Sequence, residues 1–234
     1  MVALLPLPPL AVFDLDGTLV DTAPDLTASL NHCLARRAMA PVTLDMVRPA
    51  AGHGSRAMLK LAYGRAARDL GDDELEDQVS CFLAYYEENI AVHSLPFPGV
   101  VAAMDQLAQD GCRLAICTNK SESLARHLLD SLGLSTRFAA IAGYDTFGVR
   151  KPDARHLTRT IEAAGGDPAR CVMIGDTQTD IDAAVNAGIA SILMAGGYDA
   201  TPAARARATQ VLDSFDALTP ELFRKLTCER RIAT

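Results

Sequence analysis

The sequence predicts an α/β protein, a doubly wound, Rossmann-like parallel sheet with a helical domain inserted after the first strand. Three observations carry that expectation. From Pro96 onward, short apolar runs bounded by turn residues alternate with segments of helical spacing, the rhythm of βα units. The stretch 21–93 interrupts that rhythm and shows helical spacing alone. Acidic residues directly follow two of the apolar runs, the position where open α/β sheets place their ligands.

Each element can be justified in chain order. Leu10-Ala11-Val12-Phe13 is a short apolar run that enters a turn at Gly17, as a buried strand does. In the insert, Leu26, Leu30, Cys33 and Leu34 share one helical face, as do Met58, Leu59, Leu61 and Ala62, and then Val79, Phe82, Leu83 and Tyr86. Pro41 and Gly52-His53-Gly54 punctuate these helices. Beyond Pro96-Phe97-Pro98-Gly99, helices are expected over 100–109, 122–132, 154–164 and 180–187. Strands are expected over 113–118, 139–142, 171–175 and 191–194. The expected organisation is a core of 1–20 and 94–234, with a helical domain of 21–93 between its two parts. No internal repeat or low-complexity segment is present.

Bulk properties narrow the function. A chain of 234 residues, 49% hydrophobic, can bury a sizeable core. A net charge of −7 argues against a general binder of nucleic acid or anionic membrane. It leaves room for an anionic substrate, because a local metal and lysine override the mean field. Cys33, Cys81, Cys112, Cys117, Cys171 and Cys228 form no paired metal-ligand spacing and read as reduced, in keeping with a cytoplasmic protein. Residues 1–10 are apolar but lack a basic start and carry Pro6, Pro8 and Pro9, a poor secretion signal. No apolar stretch reaches membrane-spanning length.

Four short motifs carry the chemistry. Asp14-Leu15-Asp16-Gly17-Thr18 sets two carboxylates at the end of the first strand. Like charges that close call for a cation or a shared proton. Thr118-Asn119-Lys120 ends the second apolar run, Lys151-Pro152 follows the third, and Gly175-Asp176-Thr177-Gln178-Thr179-Asp180 ends the fourth. In this order they resemble the motifs of the haloacid dehalogenase-like hydrolases, within them the aspartate-nucleophile phosphatases, and most closely the phosphoglycolate phosphatases and their near relatives.

The resemblance implies a Mg²⁺-dependent phosphatase acting on a small phosphate monoester. Asp14 would attack phosphorus and become an aspartyl phosphate. Asp16 would protonate the leaving oxygen and then activate water. Thr118 and the Asn119 main-chain amide would hold phosphate oxygens, and Lys151 would neutralise the transferring group. Mg²⁺ would take the Asp14 side chain, the Asp16 carbonyl and the Asp176 side chain, with Asp180 binding through water or orienting those groups. An alternative for Asp180, an acid at a helix N-terminus, stands beside that one. The helical insert corresponds to the family's cap, where Gly52-His53-Gly54-Ser55-Arg56 occupies the substrate loop. Arg56 and His53 would there meet a substrate carboxylate, against a surface role for Arg56.

Other residues near the motifs read differently. Lys120 and Arg150 are expected to be solvated charges, Thr177 to cap a helix or touch phosphate, Tyr63, Tyr85 and Tyr86 to pack helices, and Gly196-Gly197 to form a turn. One departure from the family is Asp153-Ala154 after Lys151-Pro152, where relatives often carry a second proline. Rival functions share the architecture. Asp16 disfavours a dehalogenase. The only lysine of the insert, Lys60, sits mid-helix, unlike the Schiff-base lysine of a phosphonate hydrolase. His32 falls too late for a phosphomutase of the β-phosphoglucomutase type. A pyrophosphatase, a broad sugar-phosphate phosphatase and an inactive binding protein complete the alternatives. The oligomeric state stays open.

Overall fold

Leu10–Phe13 (β1) forms the centre of a six-stranded sheet because all four of its side chains are apolar and fully buried. A strand covered on both faces reads as a continuous apolar run. In the computed structural model, which describes residues 7–228, β1 is followed by Val20–Asp21 (β2) and four helices. These are Ala23–Arg36 (α1), Leu44–Ala51 (α2), Ser55–Arg65 (α3) and Asp72–Glu88 (α4). Leu95–Pro96 (β3), Val100–Gln109 (α5), Arg113–Cys117 (β4), Glu122–Ser131 (α6), Ala140–Ala142 (β5) and Ala154–Ala163 (α7) come next. Cys171–Gly175 (β6), Gln178–Asn186 (α8), Ala190–Met194 (β7), Pro202–Arg207 (α9), Gln210–Leu212 (β8) and Pro220–Cys228 (α10) complete the order. Residues 1–6, Arg230, Arg231 and the side chain of Cys228 lie outside the described residues.

The sheet runs β5-β4-β1-β6-β7-β8 with every pairing parallel. Side chains alternate across it. Ala11 and Phe13 pack with Met104 and Leu107 of α5, Leu128 of α6 and Phe223 of α10. Leu10 and Val12 face Leu157 and Ile161 of α7 and Ala184 of α8. Helices thus cover both faces, as expected for a doubly wound sheet.

The insert is helical, as its spacing predicts. Leu26, Leu30, Cys33 and Leu34 are buried along α1, and Met58, Leu59 and Ala62 along α3. Leu83 departs from the expected face: it is 39% exposed because it lines the cavity described below. Two strands in the connections to the insert went unrecognised in the sequence. β2 and β3 pair antiparallel, Val20 opposite Pro96 and Asp21 opposite Leu95. Just beyond them the Asp25 carboxylate accepts hydrogen bonds from the main-chain N–H of His93 (3.0 Å) and from both the N–H (2.8 Å) and the hydroxyl (2.7 Å) of Ser94. The chain therefore enters and leaves the insert side by side. β8 also went unrecognised; at three residues it is too short to show a period.

None of the five described cysteines is in a disulfide. Among the described residues no helix is long and apolar enough to cross a membrane.

His156 of α7 is fully buried and neither ring nitrogen has a hydrogen-bond partner. Burial, and then the nearby Lys151 charge, push its pKa down to about 4. The unfolded chain takes up the proton first, so stability is lost as pH falls from ~6.5 toward 4, by at most about 3 kcal/mol. His156→Leu should therefore lower the thermal midpoint less than wild type between pH 7 and pH 4.5. Parallel pH profiles for the two proteins would assign the acid sensitivity to other groups.

Candidate active site

β4 and β6 flank β1 in the sheet, so the chain ends leaving these three strands converge. From β1 the chain builds outward through β4 and β5, then crosses back to β6 on the other side. That reversal opens a crevice at the carboxyl ends of the strands. Asp14 follows β1, Thr118 follows β4 and Asp176 follows β6. The Asp14 main-chain N–H donates to the Ile174 carbonyl at 2.8 Å, which ties the first acidic loop to the strand carrying the second.

Asp14, Asp176 and Asp180 are buried and offer carboxylate oxygens within 4.8 Å of one another. Asp176 is held at both oxygens: Oδ1 accepts from the Thr18 hydroxyl (2.6 Å) and Oδ2 from the Tyr198 main-chain N–H (2.7 Å). Two glycines make room for it. A Cβ on Gly197 would lie 2.2 Å from the Asp176 Cβ, and one on Gly17, at φ +83°, would lie 2.4 Å from its Oδ2. Burial, then the charges of Asp180 and Asp14, hold the Asp176 carboxyl well above the usual range. Burial also raises Asp14, to about 6, against the pull of Lys151. Oδ1 of Asp14 accepts no hydrogen bond, although the Lys151 ammonium stands 2.9 Å away. Three clustered carboxyl groups, two of them against a single ammonium, are a hard-oxygen set that fits a divalent cation.

Lys151 is almost wholly buried, with its Nζ 2.6 Å from Asp180 Oδ1. Burial works against its charge, but Asp14 and Asp180 outweigh that and hold the ammonium above the ordinary lysine range. The other Asp180 oxygen accepts from the Thr177 main-chain N–H (3.0 Å) and hydroxyl (2.7 Å) at the start of α8. Asp180 thus stands at the helix N-terminus, as one of its two readings has it, and also grips the lysine. Thr177 is engaged in capping that helix. Asn119 grips the lysine's main chain: its Oδ1 accepts from the Lys151 N–H (2.9 Å) and its Nδ2 donates to the Lys151 carbonyl (3.0 Å). Thr118 is buried, and its hydroxyl accepts from the Lys120 N–H at 3.2 Å.

Lys120 corrects an expectation. Its side chain is only 7% exposed, with Nζ 3.0 Å and 3.1 Å from the two Asp16 oxygens and 3.0 Å from the Tyr86 hydroxyl. The ammonium also lies 4.6 Å from the centre of the Tyr86 ring, within range of a cation–π attraction. Tyr86, expected only to pack its helix, carries that contact from α4 of the insert. Asp16 Oδ1 further accepts from the Thr22 hydroxyl at 2.6 Å. Tyr198 was not singled out in the sequence, yet besides holding Asp176 its hydroxyl donates to Asp21 (3.0 Å) and accepts from the Ala23 N–H (2.8 Å). Gly197 is consequently more than a turn.

A cavity of about 650 Å³ lies between these groups and the insert. Asp14, Asp16, Thr118, Asn119, Lys120 and Lys151 line its floor, with residues 52–56, Phe82 and Tyr86 above. His53 and Arg56 reach this cavity from the predicted loop. Arg56 is exposed and paired with Glu76 (Nη2 to Oε2, 2.6 Å), while His53 Nε2 lies 3.8 Å from Asp199. Arg150 is exposed, as expected for a solvated charge, and lines the cavity too. Lys60 is exposed and His32 stacks on Tyr85 at 4.2 Å; neither lines the cavity.

The parallel sheet, the switch-point carboxylates and the buried lysine define a hydrolase class that comparison also recovers. A family model described as haloacid dehalogenase-like hydrolase matches residues 9–188, and the chain belongs to that family. Within it the chain is phosphoglycolate phosphatase-like, as the motifs suggested. It is 48% identical to a phosphoglycolate phosphatase of Agrobacterium fabrum, across 94% of this chain and 95% of the relative. It is 47% identical to one of Mesorhizobium japonicum, across 93% and 96%. A crystal structure described as a predicted phosphoglycolate phosphatase from Haemophilus somnus superposes with a TM-score of 0.81 at 29% identity, covering 89% of this chain and 95% of that one.

The grip of Asn119 on Lys151 generates a test. Asn119→Ala keeps the main-chain amide but removes both hydrogen bonds to the lysine's backbone. Phosphate release should fall about 10- to 100-fold, with a stability loss of about 1–3 kcal/mol in thermal unfolding. An unchanged rate in a destabilised protein would separate this clamp from the chemistry.

Proposed function

We propose that this protein is a cytoplasmic, Mg²⁺-dependent phosphatase that hydrolyses a small phosphate monoester, 2-phosphoglycolate being the substrate its relatives' names favour. The observation that carries the reading is the cluster of three buried carboxylates, Asp14, Asp176 and Asp180, with the Lys151 ammonium 2.9 Å from Asp14 Oδ1, at the floor of a cavity of about 650 Å³. The segment 21–93 is read as a cap over that floor, since the chain enters and leaves it side by side.

A carboxylate needs no base to become a nucleophile once it is ionised. Asp14 attacks phosphorus, an Asp14–phosphorus bond forms, and the ester bond breaks with its electron pair on the leaving oxygen. Asp16 gives that oxygen a proton. Water then attacks the aspartyl phosphate and loses a proton to Asp16, which frees phosphate and restores Asp14. Lys151, fixed by Asp180 and Asn119, keeps positive charge beside the transferring group. The Thr118 hydroxyl and the Asn119 N–H hold phosphate oxygens. The side chains of Asp14 and Asp176 and the Asp16 carbonyl would hold Mg²⁺, which neutralises phosphate charge and orients the ester. Arg56 adds positive charge along the approach to the cavity, which His53 also lines.

Two outcomes test this. Phosphate release from 2-phosphoglycolate should require Mg²⁺ and vanish in chelator, returning when the metal is restored. Asp14→Asn should fold normally and lose at least about 1,000-fold in kcat. Full activity in the metal-stripped wild type, or Mg²⁺-dependent turnover by the Asn variant, would defeat the mechanism.

A further inference from the structure

Resting on the phosphoglycolate reading, we infer that Lys120, presented by Tyr86 of the cap, is the residue that recognises the substrate's carboxylate. In 2-phosphoglycolate the carboxylate and the ester oxygen are separated by a single methylene. Standard bond lengths put a carboxylate oxygen roughly 3 Å from the ester oxygen. The ester oxygen is the atom Asp16 protonates, so the cation that reads the carboxylate must stand beside Asp16. Lys120 Nζ does so, 3.0 Å and 3.1 Å from the Asp16 oxygens, and it lines the cavity.

The other cations around the cavity are placed or occupied differently. Lys151 is committed to Asp14 and Asp180 beneath the phosphate position. Arg56 is held by Glu76 on the exposed side of the cap loop. Arg150 is exposed.

The bonding capacity of the ammonium also matches. It has three N–H donors, two of which lie against the single Asp16 carboxylate and one against the Tyr86 hydroxyl. A substrate carboxylate takes one of the two donors shared by Asp16, while Tyr86 keeps its own and fixes the ammonium from the cap side. The site is buried, so a charge-assisted bond made there is stronger than one at the surface. A neutral ester leaves Lys120 with its present partners and gains nothing from it. Selection for an anionic substituent thus sits beside the group that handles the leaving oxygen.

Steady-state kinetics on the full chain with 2-phosphoglycolate and ethyl phosphate, which replaces the carboxylate by a methyl group, tests the inference. Wild type should prefer phosphoglycolate. Lys120→Met should collapse the ratio of the two kcat/KM values by about 100-fold, mainly through KM for phosphoglycolate, and Lys120→Arg should restore part of it. Tyr86→Phe should lower the same ratio by a smaller factor, and it keeps the test decisive should the Met variant unfold. Equal losses on both esters would make Lys120 a support for Asp16 only and overturn the inference. So would a ratio that Lys120→Met leaves unchanged or that, in a folded protein, Tyr86→Phe leaves unchanged. A wild type that turns over both esters without preference overturns the phosphoglycolate reading as well, so the two failures are distinguishable.

Discussion

The buried ion cluster of Lys151 with Asp14 and Asp180 is the constraint around which the site is arranged. Taking an ammonium out of water costs several kcal/mol unless charged partners replace the lost hydration. Asp180 supplies that replacement at 2.6 Å, and its second oxygen is spent on the N-terminus of α8. The helix therefore fixes the carboxylate, the carboxylate fixes the lysine, and the lysine faces Asp14. Asn119 closes the circuit by holding the main chain of Lys151 from the end of β4. Three different strand ends are thereby locked to one residue before any substrate arrives. Such rigidity suits phosphoryl transfer, where positioning and charge do most of the work.

The same cluster explains why the surrounding backbone is so tightly drawn. Asp176 approaches Gly17 and Gly197 closely enough that a methyl group at either position would overlap it. Its two oxygens are tethered to the first loop through Thr18 and to the loop after β7 through Tyr198. The Asp176 carboxylate is fixed on both sides by uncharged donors, whereas Asp14 meets only the Lys151 ammonium, at 2.9 Å. The arrangement separates a carboxylate that is held from one that is available, and that distinction lets two aspartates on adjacent strands take different tasks.

Much of this was legible in the sequence because the chemistry demands residues close together in the chain. Asp14 and Asp16 flank one residue, Thr118 and Asn119 are consecutive, and Asp176 and Asp180 bracket a helix start, so strand ends and motifs coincide. The strands whose runs are mostly apolar, β1, β4, β6 and β7, were legible for the same local reason. What stayed hidden depends on contacts between distant segments. Nothing local distinguishes Lys120 from a solvated lysine; its burial comes from Tyr86, 34 positions earlier, folding over it. Tyr198 reaches Asp176 and Asp21 only because the segments after β6 and β7 meet the first loop at the carboxyl end of the sheet. β2, β3 and β8 are two or three residues long, too short for alternation to register against the background.

The connections between the two parts of the molecule bear on how the cavity forms. Arg48 of α2 donates to both oxygens of Asp21 at 3.0 Å and 2.9 Å, and its guanidinium carbon stands 5.7 Å from the centre of the Tyr198 ring. Asp21 also accepts from the Tyr198 hydroxyl. A charge of the helical insert is thus linked, through the first connecting strand, to the residue whose main chain holds Asp176. On the far side of the cavity, Tyr86 and Lys120 make a second link, from α4 to Asp16. The insert therefore contacts the catalytic floor at two places, one joined to each acidic motif. Displacing it would remove the Tyr86 hydroxyl from Lys120 and the Arg48 guanidinium from Asp21 together. The contacts that hold the insert beside the cavity are thus tied to both acidic motifs.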